Sequence, residues 1–338
     1  MRRLPTGRLF AGAAILLTVF GVGLWAVPSN DYLFEPNRAR SLAPRVKVEG
    51  ERSSGPGGIY YVDVTIRKAS WLERLAPFLR PNGSTLVSRR VVLPRGTTFD
   101  ERRQEARADM ARSEQVAAAV ALREAGYDVT ATPKGALVEA VAPDVPAAET
   151  LKAGDVIVAV DGEPVGTPAD LRRRVSGQTP GRMVTLRIRR DRAAKTITVT
   201  VTTVADPRSP KRAIIGIQVA QEADIKLPVE VDIDLGDVGG PSAGLAFALD
   251  ILEELGRNVD RGCTVAATGE LELDGAVAPV GGLKQKTYGA RRADVDVLLV
   301  PAGDNADEAR RYADGLRVVP VSSFQQALRE LETFTGKC

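Results

Sequence analysis

Histidine is absent from all 338 residues. That removes Ser-His-Asp and Cys-His catalysis and every His-containing metal site. Any general base must then be Lys, Asp, Glu, Tyr, Cys or a chain terminus. Cysteine is scarce, with only Cys263 and Cys338. Two thiols do not make a structural zinc site, so no metal is expected. Cys263 reads as a core residue, and whether it pairs with Cys338 is not legible from sequence. Charge of one sign is also lacking: the net charge is +3 and no basic run is long, which argues against a nucleic-acid partner. What is present is a folded-protein composition, 44% hydrophobic and 26% charged, in a chain long enough for two domains with connections.

Phe10 to Val27 is almost wholly apolar, with Thr18 its one clearly polar side chain. As a helix it would span roughly 27 Å, near the thickness of a hydrocarbon core. Arg2, Arg3 and Arg8 precede it and no acidic residue does. The pattern predicts a cytoplasmic N-terminus at 1–9, a transmembrane anchor at 10–27 and the remainder outside the cytoplasm. A cleaved signal peptide is the competing reading. Leu24-Trp25-Ala26-Val27-Pro28 is a poor cleavage site, and Gly21-Val22-Gly23 lies inside the run.

Residues 28–125 predict a mixed β/α segment. Ile59 to Ile66 is β-branched and aromatic, as a strand should be, and Val91-Val92-Leu93 reads as a second strand. Asp100 to Ala125 is rich in helix formers and stops at Gly126. Then come Gly135 to Val141, Val145-Pro146-Ala147-Ala148, and Gly154-Asp155-Val156-Ile157 leading to Asp161-Gly162. These read as a strand, a short helix, a turn, a buried strand and a tight turn. A helix over 168–175 and strands over 183–189 and 196–204 complete the unit. This order resembles a PDZ domain of exported bacterial proteases, over 126–204. The resemblance places a peptide-carboxylate loop at Gly126-Tyr127-Asp128-Val129, where the family often has Gly-Leu-Gly-Phe. Asp128 disfavours tight carboxylate capture there, but strand addition of an extended peptide needs only main-chain bonds. A spacer that binds nothing is the bland alternative. Ala205 to Lys211 is proline-rich and polar, and predicts a linker over 205–212.

Val229 to Leu235 alternates apolar and acidic residues and runs into Gly239-Gly240-Pro241-Ser242-Ala243-Gly244. The amphipathic run Leu245 to Leu255 follows, so Ser242 falls at a helix start in a glycine-rich turn, where main-chain N–H groups near Gly240 can face an oxyanion. Alone, such a serine reads as a helix cap. The G-x-S-x-G elbow needs a histidine, and a P-loop needs lysine where Pro241 stands. A second block, Thr268-Gly269-Glu270 with Pro279-Val280-Gly281-Gly282-Leu283-Lys284-Gln285-Lys286, changes the balance. The two blocks together resemble the proteolytic domain of Lon peptidases, over 213–338. The whole chain resembles the membrane-tethered bacterial PDZ-Lon proteins.

The resemblance implies an α+β multidomain chain: a transmembrane helix, a β-barrel-like PDZ domain and an α/β Lon-type domain. It implies Ser242 as nucleophile, Lys286 as general base, Thr268 as a hydroxyl near the lysine and Gly240 in the oxyanion turn. Serine is a poor nucleophile until a base takes its proton, and burial lowers a lysine's pKa enough to serve. Lon peptidases often carry an acid three residues before the serine, where this chain has Gly239. No Walker A sequence is present, so no cofactor and no ATP motor are expected. The expected function is an ATP-independent serine endopeptidase at the cytoplasmic membrane, with protein or peptide substrates and, by analogy with ring-forming Lon domains, a homo-oligomer. The alternatives are a non-catalytic peptide-binding scaffold and, more remotely, a small-molecule kinase.

Overall fold

The computed structural model of the protein describes residues 6–49, 57–93, 98–190, 196–207 and 209–334. Its α-helices are α1 (Thr6–Ala26), α2 (Trp71–Leu75), α3 (Arg89–Val92), α4 (Phe99–Glu124), α5 (Pro168–Ser176), α6 (Gly244–Glu254), α7 (Leu283–Arg292), α8 (Asp304–Arg311) and α9 (Phe324–Glu332).

The sheet that organises the larger unit runs in the order Arg40–Ser41, Gly58–Tyr61, Thr264–Ala267, Val297–Pro301, Arg317–Val321. Its last four strands are parallel. Two of them, Thr264–Ala267 and Val297–Pro301, are apolar almost throughout because helices cover both faces. On one face α4 and α6 close a core in which Met110, Val116 and Val120 meet Leu245, Phe247 and Leu249. On the other, α7 and α8 close a second core through Leu283, Ala290, Ala306 and Leu298.

Helix α4 starts where Thr98 accepts from the Glu101 N–H and Glu101 accepts from the Thr98 N–H at 2.7 Å, a capping box. Its small side chains Ala117 to Ala119 and Ala121 let it lie close on α6. The strand and helix expected from 28–125 are therefore parts of the same body as residues 213–334, and not a separate segment. Ile59 to Ile66 is broken after Tyr61: Gly58–Tyr61 joins the large sheet, and Val64–Ser70 pairs with Pro28–Pro36 in another. Val91 to Leu93 is no strand. It belongs to the single turn α3, closed by the bond from the Leu93 N–H to the Arg89 carbonyl at 2.7 Å.

The second unit is a sheet in the order Thr196–Thr202, Met183–Arg189, Val156–Val160, Thr130–Val141, Ile217–Lys226, with α5 against it. Its core holds Ile157, Leu171, Leu186 and Ile188. The expected linker at 205–212 is instead part of a hairpin, with Val204 opposite Ile214 and Ala205 opposite Ala213. The sheet also does not end at 204. Ile217–Lys226 pairs along the length of Thr130–Val141. This two-stranded ribbon begins in one core, where Ile217 and Val219 pack, and ends in the other, where Ala223 and Ile225 pack. A twisted ribbon with side chains in both cores is far stiffer than a polar linker.

The expected anchor at 10–27 is helical as α1, and Ile15, Val19, Phe20, Val22 and Trp25 are exposed. Among the described residues, however, no helix is long and apolar enough to cross a membrane. Cys263 is buried and disulfide-bonded, and Cys338 lies outside the described residues.

A fragment beginning at residue 213 should not fold on its own. It lacks Gly58–Tyr61, which leaves Thr264–Ala267 a bare edge, and it lacks α4, which leaves the α6 face wet. Circular dichroism and limited proteolysis should show a native-like fold for residues 28–338 and none for 213–338.

Candidate active site

The site forms at the carboxyl ends of the parallel strands, where open α/β sheets present their reactive groups. Thr268 directly follows Thr264–Ala267 and is fully buried. Its N–H donates to the Leu299 carbonyl at 3.0 Å, which fixes it beside the next strand. Ser242 lies in a 3₁₀ turn, Pro241–Ala243, that leads into α6, and it is half-buried. Lys286 lies in the second turn of α7, where its N–H donates to the Gly282 carbonyl at 2.9 Å. Gly282 caps that helix at φ +75°, a conformation glycine adopts without strain.

Thr268 joins the other two. Its Oγ1 donates to the Ser242 carbonyl at 3.1 Å and accepts from Lys286 Nζ at 3.0 Å. The Gly269 N–H adds a second bond to the Ser242 carbonyl at 2.9 Å. No hydrogen bond joins the Ser242 hydroxyl to Lys286 in this resting arrangement, and such contacts commonly tighten only around substrate. Lys286 is only 3% exposed. Burial drives its pKa from the ordinary 10.5 down to about 7, against an opposing pull from the Asp63 carboxylate. Lys284, two residues before, points outward, donating to the Ser84 carbonyl at 3.0 Å.

The serine turn is held from α4. Ser113 Oγ donates to the Pro241 carbonyl at 3.0 Å, and the Gly240 N–H donates to the Ala106 carbonyl at 2.7 Å. The Gly240 amide is therefore occupied. The amides of Ser242 and Ala243, first in their turn, are the ones left without an intrahelical acceptor. A Cβ at Gly239 would lie 2.8 Å from the Ala106 Cβ. No acid fits three residues before the serine, because α4 occupies that space.

Sequence reasoning missed Asp63, Ser113 and Ala106. Asp63 had one visible signal, an acid interrupting a β-branched run; the other two are ordinary helix residues. Tyr127, Asp128 and Val129 are not brought to this site. They turn out of α4 into Thr130–Val141, with Tyr127 and Asp128 exposed and Val129 against the larger core. Among the described residues, no group of side chains could hold a metal ion.

Residues 120–201 match the PDZ domain, and residues 213–333 match the Lon protease (S16) C-terminal proteolytic domain. The chain carries both. Lon protease 1 of Myxococcus xanthus is 40% identical over 94 residues, 27% of this chain and 11% of that protein. The mitochondrial Lon protease homolog of Ostreococcus lucimarinus is 36% identical over 111 residues, 32% of this chain and 12% of that protein. Lon protease 2 of Bacillus subtilis is 32% identical over 109 residues, 31% of this chain and 19% of that protein. The chain thus spans about a tenth to a fifth of the length of these relatives. The solved PDZ domain of an SdrC-like protein from Listeria monocytogenes is 27% identical over 25% of this chain and 86% of that one, with a TM-score of 0.23.

Lys286 should cost the fold stability. The unfolded chain binds a proton at this amine up to about pH 10.5 and the folded chain only up to about pH 7. Stability should therefore rise with pH across that window. Lys286→Met should stabilise the protein at pH 7 by on the order of a few kcal/mol, and the gain should vanish above the window. Denaturant midpoints of both proteins at pH 7 and pH 11 measure it.

Proposed function

We propose that this chain is a serine endopeptidase with a Ser-Lys dyad, working without ATP. The observation that carries the reading is a buried lysine amine, bonded through Thr268 to the turn that bears Ser242, inside a Lon-type proteolytic domain. The Ser242 hydroxyl attacks the scissile carbonyl carbon while its proton passes to the neutral Lys286 Nζ. The C–O bond forms, the carbonyl π pair moves to oxygen, and the first amides of the serine turn face that oxyanion. Collapse breaks the C–N bond, and the Lys286 ammonium gives its proton to the leaving amine. Water, deprotonated by the same amine, then hydrolyses the acyl-enzyme. Thr268 keeps the amine and the serine turn in register throughout.

Peptide recruitment falls to the PDZ unit. Ile217–Lys226 is the last strand of its sheet, so its outer edge offers main-chain groups to an extended peptide. Tyr127 to Val129 lie beyond the far end of that strand, where Lys226 pairs with Thr130, and would touch a longer peptide. A scaffold that binds peptides without cutting is the second reading, favoured only by the absence of a direct Ser242–Lys286 bond.

Purified full-length chain should cleave unfolded casein, and Ser242→Ala, Lys286→Ala and Lys286→Arg should lose at least a hundred-fold, roughly the worth of an activated nucleophile. Activity should rise with pH along a limb centred near the Lys286 value of about 7. Equal cleavage by all variants would sink the dyad, and binding of casein without cleavage by wild type would establish the scaffold.

The place of work in this reading is the outer face of the cytoplasmic membrane. It is supported by the arginines before α1, by the exposed apolar side chains on that helix, and by its junction with α2. There the Trp71 N–H donates to the Val27 carbonyl at 3.1 Å, and Leu75 and Phe78 stand exposed alongside. A disulfide at Cys263 suits an oxidising compartment. The chain should remain with membranes after carbonate washing, and an enzyme reporter that works only outside the cytoplasm should be active when fused after Cys338. Release by carbonate or a silent reporter would overturn this placement.

A further inference from the structure

Lys286 has one acid acting on it among the described residues, and that acid comes from the far end of the chain. The register sets this up. Gly58–Tyr61 runs parallel to Thr264–Ala267, with Tyr61 beside Ala267. Val62 and Asp63 therefore leave their strand at the level where Thr268 leaves its own. The chain breaks there: Val64 starts another sheet and packs near the cap of α7, with its Cγ2 3.1 Å from where a Gly282 Cβ would stand. Asp63 thus stands at the break between the two strands, and its charge acts on the Lys286 amine.

The carboxylate is half committed. Its Oδ2 accepts from Asn37 Nδ2 at 2.8 Å and from the Arg40 guanidinium at 3.1 Å. Its Oδ1 is buried and has no hydrogen-bond partner. A buried carboxylate oxygen left bare is costly unless some state of the molecule uses it. Lys286 has the complementary shortage: Thr268 takes one of its hydrogens, and an ammonium carries three. The position three before Ser242 is closed to any acid by Ala106, so no carboxylate reaches the site from that side.

We propose that Asp63 is a positioning residue for Lys286, its unpartnered oxygen receiving the Lys286 ammonium that forms when the serine proton is taken. The proton moves from Ser242 Oγ to Lys286 Nζ, so charge separates between serine and lysine beside the Asp63 carboxyl group. Arg40 opposes this by engaging the other oxygen. The groups facing the pair are then Asp63, Arg40 and Asn37 from the N-terminal strands and Thr268 from the central strand. The inference rests on the peptidase reading for its kinetic consequence, but the pairing stands or falls independently of cleavage.

The test is the titration of Lys286 in the full-length chain carrying ¹³C at lysine Cε, its resonance identified by its loss in Lys286→Arg. Wild type should titrate near pH 7. Asp63→Asn, which keeps shape and removes charge, should move the midpoint down by about one unit, the low end of what a nearby opposite charge does. Arg40→Gln should move it up, because a competing positive charge is gone. An unmoved midpoint in Asp63→Asn overturns the proposal, and if that variant does not fold, the direction of the Arg40→Gln shift decides alone. In casein cleavage the acid limb of Asp63→Asn should shift down with the midpoint, while its plateau rate falls roughly ten-fold, the equivalent of one pKa unit. If wild type cleaves nothing, the peptidase reading falls, and the titration still decides the role of Asp63.

Discussion

The site depends on one constraint: an amine kept out of water. A solvated lysine holds its proton firmly and cannot take another. Here, among the described residues, Thr268 is the one side chain that bonds the amine, and α7 together with the strands around it excludes solvent. Each neighbouring feature follows from that exclusion. Gly282 lets α7 begin abruptly, so that Lys286 sits under a sheet end. Gly289 lets the same helix press on the first strands, where a Cβ would lie 2.0 Å from the Asn37 carbonyl oxygen and the Ala39 N–H donates to the Gly289 carbonyl at 3.0 Å. Gln285 and Arg292 are held by the carbonyls of Gly83, Asn82 and Pro36. The N-terminal strands are thus the outer wall of the dry pocket.

That wall explains how far the sequence could be read. The parts of the candidate site were legible because each is local: Gly240 to Gly244 and Gly281 to Lys286 are short runs that form a turn, a helix start and a buried amine. Elements with a strong period were legible for the same reason, and α4, α5, α6 and Met183–Arg189 lie within a residue or so of where periodicity puts them. The assembly was not legible. Residues 28–125 complete the sheet and core of a body whose remainder starts some ninety residues later, and such pairing leaves no trace in either segment alone. Ala205 to Lys211 looked like a joint because proline and charge also suit an exposed hairpin. Val91 to Leu93 has strand propensity, but a local helical bond won. Asp63 was read as one more residue of a strand, since only the register across to Ala267 shows where it emerges.

The insertion of one unit into the other also changes what the PDZ fold can do. Two ribbon strands with side chains in both cores do not behave as a tether. Further bonds lock the seam. Glu272, buried at 1% exposure, accepts from the Ala169 N–H at the start of α5 at 2.9 Å and pairs with Arg172 on the same helix. Arg112 on α4 reaches Glu139 on the PDZ sheet at 3.3 Å. Burial lifts Glu139 to about 7 and Glu270 to about 8, each reinforced by neighbouring acids. These carboxylates are crowded into the seam at an energetic cost that only a close fit between the two units sustains.

The seam and the dry pocket are the two ends of one short stretch of chain. Thr268 bonds Lys286, the Gly269 N–H bonds Ser242, and Glu270–Leu271 is the strand that carries the chain to Glu272 at α5. The carboxylate that grips the PDZ helix lies four positions along the chain from the hydroxyl that sets the amine. In an extended chain that is a reach of about 13 Å with little slack. Any ligand that displaces α5 against the sheet must either break the Glu272 contacts or draw on Gly269, whose own Cβ position is closed by Val277 at 2.6 Å. A rigid connection of this length transmits position, not flexibility. It ties the placement of the serine turn and of the Lys286 amine, both bonded by Thr268, to the position of α5.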